Sequence, residues 1–144
     1  MIKITQVRKA DKKDLEAVNN LLDQLSPGSY FLRPKEYRRL LSEKNYFLLA
    51  ARDGKLIIGM GSIVFTNIPA GLRSRLEDVV VDEKYRGRGI GKKISLALIA
   101  IARKKRAALV DLTSGKKRKR AHKLYEKIGF KERDTKVYRL DLRK

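Results

Sequence analysis

Cysteine is absent from this 144-residue chain. That excludes disulfides, a thiol nucleophile and any cysteine-ligated metal. A single histidine, His122, gives no basis for a histidine-built centre, so no metal is expected. No apolar run reaches the ~18 residues of a membrane span. The opening stretch Met1-Ile2-Lys3-Ile4-Thr5-Gln6-Val7 lacks the apolar core of a secretory leader, so the cytoplasm is the expected location. Acidic residues are also scarce: 16 against 36 basic ones, for a formal net charge of +20. The imbalance is uneven. Residues 1–72 carry 12 basic and 7 acidic side chains, whereas residues 73–144 carry 24 and 9. A surplus of that size suits an acidic ligand, an acidic partner, a nucleic-acid surface or a basic host proteome.

What is present is an ordinary globular composition, 42% hydrophobic, in a length that suits one domain over residues 1–144. Ile2 and Ile4 alternate with polar neighbours as in a strand. Asp11 is placed to cap a helix, along which Leu15, Val18, Leu21, Leu22 and Leu25 recur at helical spacing. Ser26-Pro27-Gly28-Ser29 ends it, and Pro34 opens a second helix with Tyr37, Leu40 and Leu41 on one face. Tyr46 to Ala50 and Leu56 to Phe65 read as strands joined by a turn at Asp53-Gly54. A loop over Asn67 to Gly71 and a strand over Arg73 to Val81 follow. Next come a helix from Ile90 to Lys105, a short strand from Ala107 to Leu112 and a helix from Arg118 to Ile128 closed by Gly129. Phe130 to Glu132 and Val137 to Leu140 read as a last strand pair.

The chemistry concentrates in Leu76-Glu77-Asp78-Val79-Val80-Val81-Asp82-Glu83-Lys84-Tyr85-Arg86-Gly87-Arg88-Gly89-Ile90-Gly91-Lys92: a strand, a loop and a glycine-rich turn that opens a helix. Free backbone N–H groups and the positive end of a helix dipole meet there, which suits a phosphate. A nucleotide P-loop, G-x-x-x-x-G-K-[ST], does not fit, because Arg86 stands where its first glycine belongs and Lys93 replaces the hydroxyl. The dinucleotide pattern G-x-G-x-x-G fails at Lys92. The register that fits is Arg-x-x-Gly-x-Gly from Arg86 to Gly91. With Leu124-Tyr125-Glu126-Lys127-Ile128-Gly129-Phe130 further on, it resembles the GNAT superfamily of N-acetyltransferases, which carry Gln/Arg-x-x-Gly-x-Gly/Ala after a hydrophobic strand and a Leu-Tyr-x-Lys-x-Gly-Phe segment near the end.

The resemblance implies a fold, a co-substrate and roles. The fold is α/β (α+β), a mixed central sheet of about seven strands flanked by about four helices, in the order β-α-α-β-β-β-α-β-α-β-β. The co-substrate is acetyl-coenzyme A. Its pyrophosphate is expected on Arg86, Gly87, Arg88, Gly89, Ile90, Gly91 and Lys92. Its pantetheine is expected along the main chain of Val79, Val80 and Val81, with a backbone N–H near Val79 polarising the thioester. Tyr125 matches the residue that many members use as acid toward the sulfur. The run Leu-Glu-Asp-Val-Val-Val is similar to that of glucosamine-phosphate N-acetyltransferases and makes Glu77 the candidate base; a water chain is the alternative. Strand alternation puts Glu77 on the face of Val79 and Val81, with Asp78 on the other. Arg118 stands where members often hold pantetheine with asparagine, and the cations around it, Lys116 to Arg120, suit the 3′-phosphate. His122 is assigned no catalytic role.

These readings give an acetyl-coenzyme A-dependent N-acetyltransferase acting on a primary amine of a small molecule or protein. Its charge favours a neutral or acidic acceptor. The basic C-terminal half could also touch a polyanion, and a homodimer is compatible with the family. The competing readings are a basic nucleic-acid-binding module and a coenzyme A-sensing module, each on the same fold without catalysis.

Overall fold

The computed structural model describes residues 1–143 as two compact units, Met1–Thr113 and Ser114 onward, and each is taken by itself. In the first, β1 (Ile2–Gln6), β2 (Tyr46–Asp53), β3 (Leu56–Ile68), β4 (Gly71–Val81) and β5 (Val110–Asp111) form a sheet in that order. Neighbours are antiparallel from β1 to β4, and β4 pairs with β5 in parallel.

Helix α1 (Lys12–Leu25) begins where Asp11 accepts the Asp14 N–H at 3.1 Å, as its sequence suggests. Its buried Leu15, Val18, Leu21 and Leu22 join Tyr37 of α2 (Pro34–Ser42) and the sheet residues Leu48, Ala50, Met60 and Val80 in one cluster. Asp14 and Arg52 clamp this layer to β2 through paired bonds of 2.8 and 2.9 Å. Helix α3 (Ile90–Lys104) contributes Ile94 and Leu98, both fully buried. It packs on the sheet where glycines leave room: a Cβ on Gly61 would come within 2.8 Å of Ile94 and 3.0 Å of Leu98.

Three expectations change. Asn67 to Gly71 is not a loop: β3 runs to Ile68, β4 starts at Gly71, and only Pro69-Ala70 turn between them. The strand expected over Ala107 to Leu112 shortens to Val110–Asp111. Among the described residues the last strand pair is not formed, so the sheet has five strands and not about seven. From Lys131 to Leu140 every residue is exposed, and Val137, Tyr138 and Leu140 are among the most exposed large apolar side chains. A strand needs a partner and a buried face, and alternation alone supplies neither. The second unit contains α4 (Lys119–Lys127), followed by Gly129 at φ 112°.

Candidate active site

The phosphate-type turn has the local geometry its sequence demands. Asp82 caps a short turn, Glu83–Tyr85, after which Gly87 (φ 80°) and Gly89 (φ 76°) take left-handed conformations that favour glycine. Gly89 is the N-cap of α3, and no side chain caps the helix. The first intrahelical bond is donated by Lys93 N–H to Gly89 O, at 3.1 Å. The N–H groups of Ile90, Gly91 and Lys92 therefore precede the ladder and suit an anion. Lys92 is exposed beside them. Ile90 points the other way and is buried in the core.

The arginines of the turn are engaged with protein. Arg86 Nε donates to Val81 O at 2.9 Å and Nη2 reaches Gln24 Oε1 at 3.5 Å, bracing the loop against β4 and α1. Arg88 lies 5.0 Å over the Tyr85 ring, and Tyr85 donates to Asp53 at 2.8 Å.

Beyond the turn, β4 separates from β5. The two strands pair only at Ser74–Val110 and Arg75–Asp111. Ala108 N–H donates to Leu72 O and Ser74 N–H to Leu109 O, at 2.8 and 3.1 Å. From Leu76 to Val81 the edge of β4 toward β5 carries no ladder. An open strand edge of this kind takes an extended ligand by main-chain hydrogen bonding.

Within the open stretch lies a bulge against β3. Ser62 faces Glu77 and Met60 faces Val80, so Asp78 and Val79 together oppose Gly61. Asp78 takes φ 52°, rare for a residue with a side chain. The extra residue shifts the phase of the strand. Glu77 and Val80 share one face of the sheet, with Ser62 and Met60, while Val81 pairs with Gly59 and Val79 meets Gly61 on the other. The alternation expected from sequence, with Glu77 on the face of Val79 and Val81, is thus overturned by one inserted residue. Val80 turns its side chain into the core, leaving its main chain for any ligand.

Around the bulge lies a polar group. Glu77 accepts from Arg75 Nε at 3.1 Å, with both side chains nearly half exposed. Asp78 keeps solvent access, yet desolvation, then the neighbouring Glu77 charge, raise its carboxyl above the usual range. Tyr46 and Ser62 share a short hydrogen bond. Burial pushes the Tyr46 phenol up to about 12, opposed by the Ser62 bond and reinforced by the Asp78 charge. Sequence reading missed Tyr46, Ser62 and the role of Asp78. The signal for the strand face was there, since Arg73, Arg75 and Glu77 alternate, but nothing local marks a bulge at an aspartate.

In the second unit Tyr125 is buried in α4, its ring 5.7 Å from that of Phe130 in an edge-on contact. Burial raises its phenol and the Arg118 charge partly offsets this, so at neutral pH it carries its proton. Arg118 is the uncapped N-cap of α4 and is exposed.

Sheet, glycine turn and strand separation together define an acetyltransferase-type fold. Residues 15–130 match the family model described as acetyltransferase (GNAT) family, and the chain belongs to that family. Among its relatives, an uncharacterized N-acetyltransferase of Methanocaldococcus jannaschii is 25% identical over 145 residues, covering 94% of this chain and 64% of the relative. A glucosamine 6-phosphate N-acetyltransferase of Trypanosoma brucei brucei is 43% identical over 67 residues, covering 46% of this chain and 43% of the relative. The chain thus spans less than two thirds of the length of either. Among solved structures, a transcriptional regulator from Bacillus halodurans superposes with a TM-score of 0.85 at 25% identity, covering 99% of this chain and all of that one. Among the described residues no helix is long and apolar enough to cross a membrane, and no cluster of three or more potential ligands could hold a metal.

Proposed function

We propose that the chain transfers an acetyl group from acetyl-coenzyme A to a primary amine. The observation that carries this reading is the open edge of β4, which leads directly to an uncapped, glycine-turned helix start. The edge suits pantetheine, and the helix start, with Gly87, Gly89, Gly91 and Lys92, suits the pyrophosphate. Arg86 and Arg88 act mainly by holding the turn in shape.

Acetyl transfer needs a neutral amine, a donor to the tetrahedral oxyanion and a proton for the departing thiolate. Glu77 is the candidate base, with Asp78 beside it on the bulge and a water relay as the alternative. The amine nitrogen bonds to the thioester carbon, a main-chain N–H near Val79 holds the oxyanion, and the C–S bond then breaks. Tyr125 is the candidate acid, on the family resemblance and on its state as a buried, protonated phenol. Arg118 is the candidate contact to the coenzyme in the basic run.

A second reading is a basic nucleic-acid-binding module without catalysis. Residues 114–144 hold 13 basic and 4 acidic side chains, and the Bacillus halodurans neighbour is described as a transcriptional regulator. A coenzyme A-sensing module without catalysis completes the alternatives. Release of free thiol from acetyl-coenzyme A in the presence of a panel of amines separates them. Amine-dependent release supports the transferase. Coenzyme binding without release at any amine supports the sensor, and salt-dependent DNA binding without coenzyme binding supports the nucleic-acid module.

A further inference from the structure

Arg73, Arg75 and Glu77 stand in a row on one face of β4. Their partners across β3 are Thr66, Val64 and Ser62, and successive like-facing residues lie about 6.6 Å apart along a strand. The row ends at the bulge, where the candidate base lies. Two features make its other end unusual. Arg73 Nε is buried and has no hydrogen-bond partner among the described residues. A buried guanidinium N–H without an acceptor is costly, and nearly all such donors in folded proteins are satisfied. Arg75 is held only loosely. Its Nε meets Glu77, two residues away on the same strand, and Nη2 reaches Thr113 Oγ1 at a long 3.4 Å. An ion pair this exposed contributes little to stability and exchanges readily for another anion.

We infer that Arg73 and Arg75 form an anion subsite, so that the acceptor is a primary amine bearing a carboxylate or phosphate group. The inference rests on the transferase reading and specifies its substrate class. The acceptor's anion takes the fork of Arg75, and the Arg73 guanidinium turns toward it to gain the acceptor that its Nε lacks, matching the bidentate habit of guanidinium. Binding there displaces Glu77 from Arg75 and frees its carboxylate to receive the amine's proton. Substrate binding thereby releases the base. The spacing places the amine by Glu77 and the anion one or two strand positions away, which suits a short, compact acceptor.

The test measures binding of three amines of like size at constant ionic strength: 2-aminoethyl phosphate, β-alanine and ethanolamine, with inorganic phosphate as a fourth probe. Each is titrated into the wild-type chain, Arg73→Gln, Arg75→Gln and the remote charge control Lys3→Gln, in the presence of a coenzyme A analogue that cannot transfer acetyl. At least one anionic amine should bind more tightly than ethanolamine. That preference should fall by about tenfold or more in each arginine variant and be unchanged in Lys3→Gln. If the phosphate amine wins the subsite is phosphate-selective; if β-alanine wins it is carboxylate-selective. Equal binding of charged and neutral amines, no binding of either anionic amine, or full retention of the preference in both arginine variants would overturn the subsite. Coenzyme binding by the wild type is recorded in the same titrations. Its absence would instead sink the transferase reading, so the two failures are distinguishable.

Discussion

Single residues make the sharpest predictions, because several polar groups are buried in unusual surroundings. Tyr37 is almost wholly buried and its hydroxyl has no partner among the described residues. Burial first, then the charge of Asp14, push its phenol up to about 12. Its neutral form is therefore favoured in the fold. The stability this gives is full below the ordinary phenol value of about 10 and is lost as pH rises through about 12. Tyr37→Phe removes an unsatisfied buried group whose cost is about 1–3 kcal/mol. The variant should lose no stability at pH 7, gain up to about 1 kcal/mol, and resist alkali better than wild type; denaturant unfolding from pH 7 to 12 checks this. A loss above about 2 kcal/mol at pH 7 would show that the hydroxyl has a partner. Asp78 runs in the same direction from a lower starting point. Its raised carboxyl contributes stability fully below the usual carboxylate value and loses it as pH rises through the shifted one. Asp78→Asn should therefore be more stable than wild type near pH 7 and no more stable at pH 3. Glu77→Gln should leave coenzyme binding unchanged and lower kcat by about 10²–10⁴-fold if Glu77 is the base. A residual rate near wild type would move that role to Asp78 or to water.

At the scale of elements, the turn and the close helix packing both depend on glycine. Gly61→Ala would drive a methyl group toward Ile94 and Leu98, both fully buried, and should cost about 1–3 kcal/mol in denaturant unfolding. A cost below about 0.5 kcal/mol would mean that α3 shifts freely on the sheet. The elements themselves were largely legible in the sequence. Asp11, Pro34, Asp53-Gly54 and Gly129 mark helix starts, a turn and a helix end by local chemistry, and the structure places them so. The glycine turn was legible for the same reason, since positive φ at Gly87 and Gly89 is written in residue type. What was hidden was non-local. The bulge at Asp78 arises from pairing with β3, and it reverses which side chains accompany Glu77. Phe130 to Glu132 and Val137 to Leu140 read like short strands but find no ladder, because pairing is decided by what lies alongside. Arg73 and Arg75 read as two more cations in a basic chain until the strand register aligned them with Glu77.

For the whole molecule, charge is the dominant property. A net +20 attracts polyanions generally, so coenzyme binding should weaken steadily as salt rises, and nucleic acid should bind weakly and without sequence preference. Specific coenzyme binding must therefore be separated from this background, and the glycine turn provides the means. Gly89→Glu places a side chain on a left-handed residue and a negative charge at the anion-binding helix start, while changing the net charge by one unit in twenty. The most direct measurement is thermal unfolding of the wild type and of Gly89→Glu with and without acetyl-coenzyme A, with heparin as the polyanion control. At ~100 times its Kd, a ligand that binds only the folded chain adds about 2.7 kcal/mol. For a chain of this length that raises Tm by about 5–10 °C. The account predicts this shift for the wild type and its loss in Gly89→Glu, with both proteins still responding to heparin. A chain stabilised by heparin but not by acetyl-coenzyme A, or a shift that survives Gly89→Glu, would contradict it.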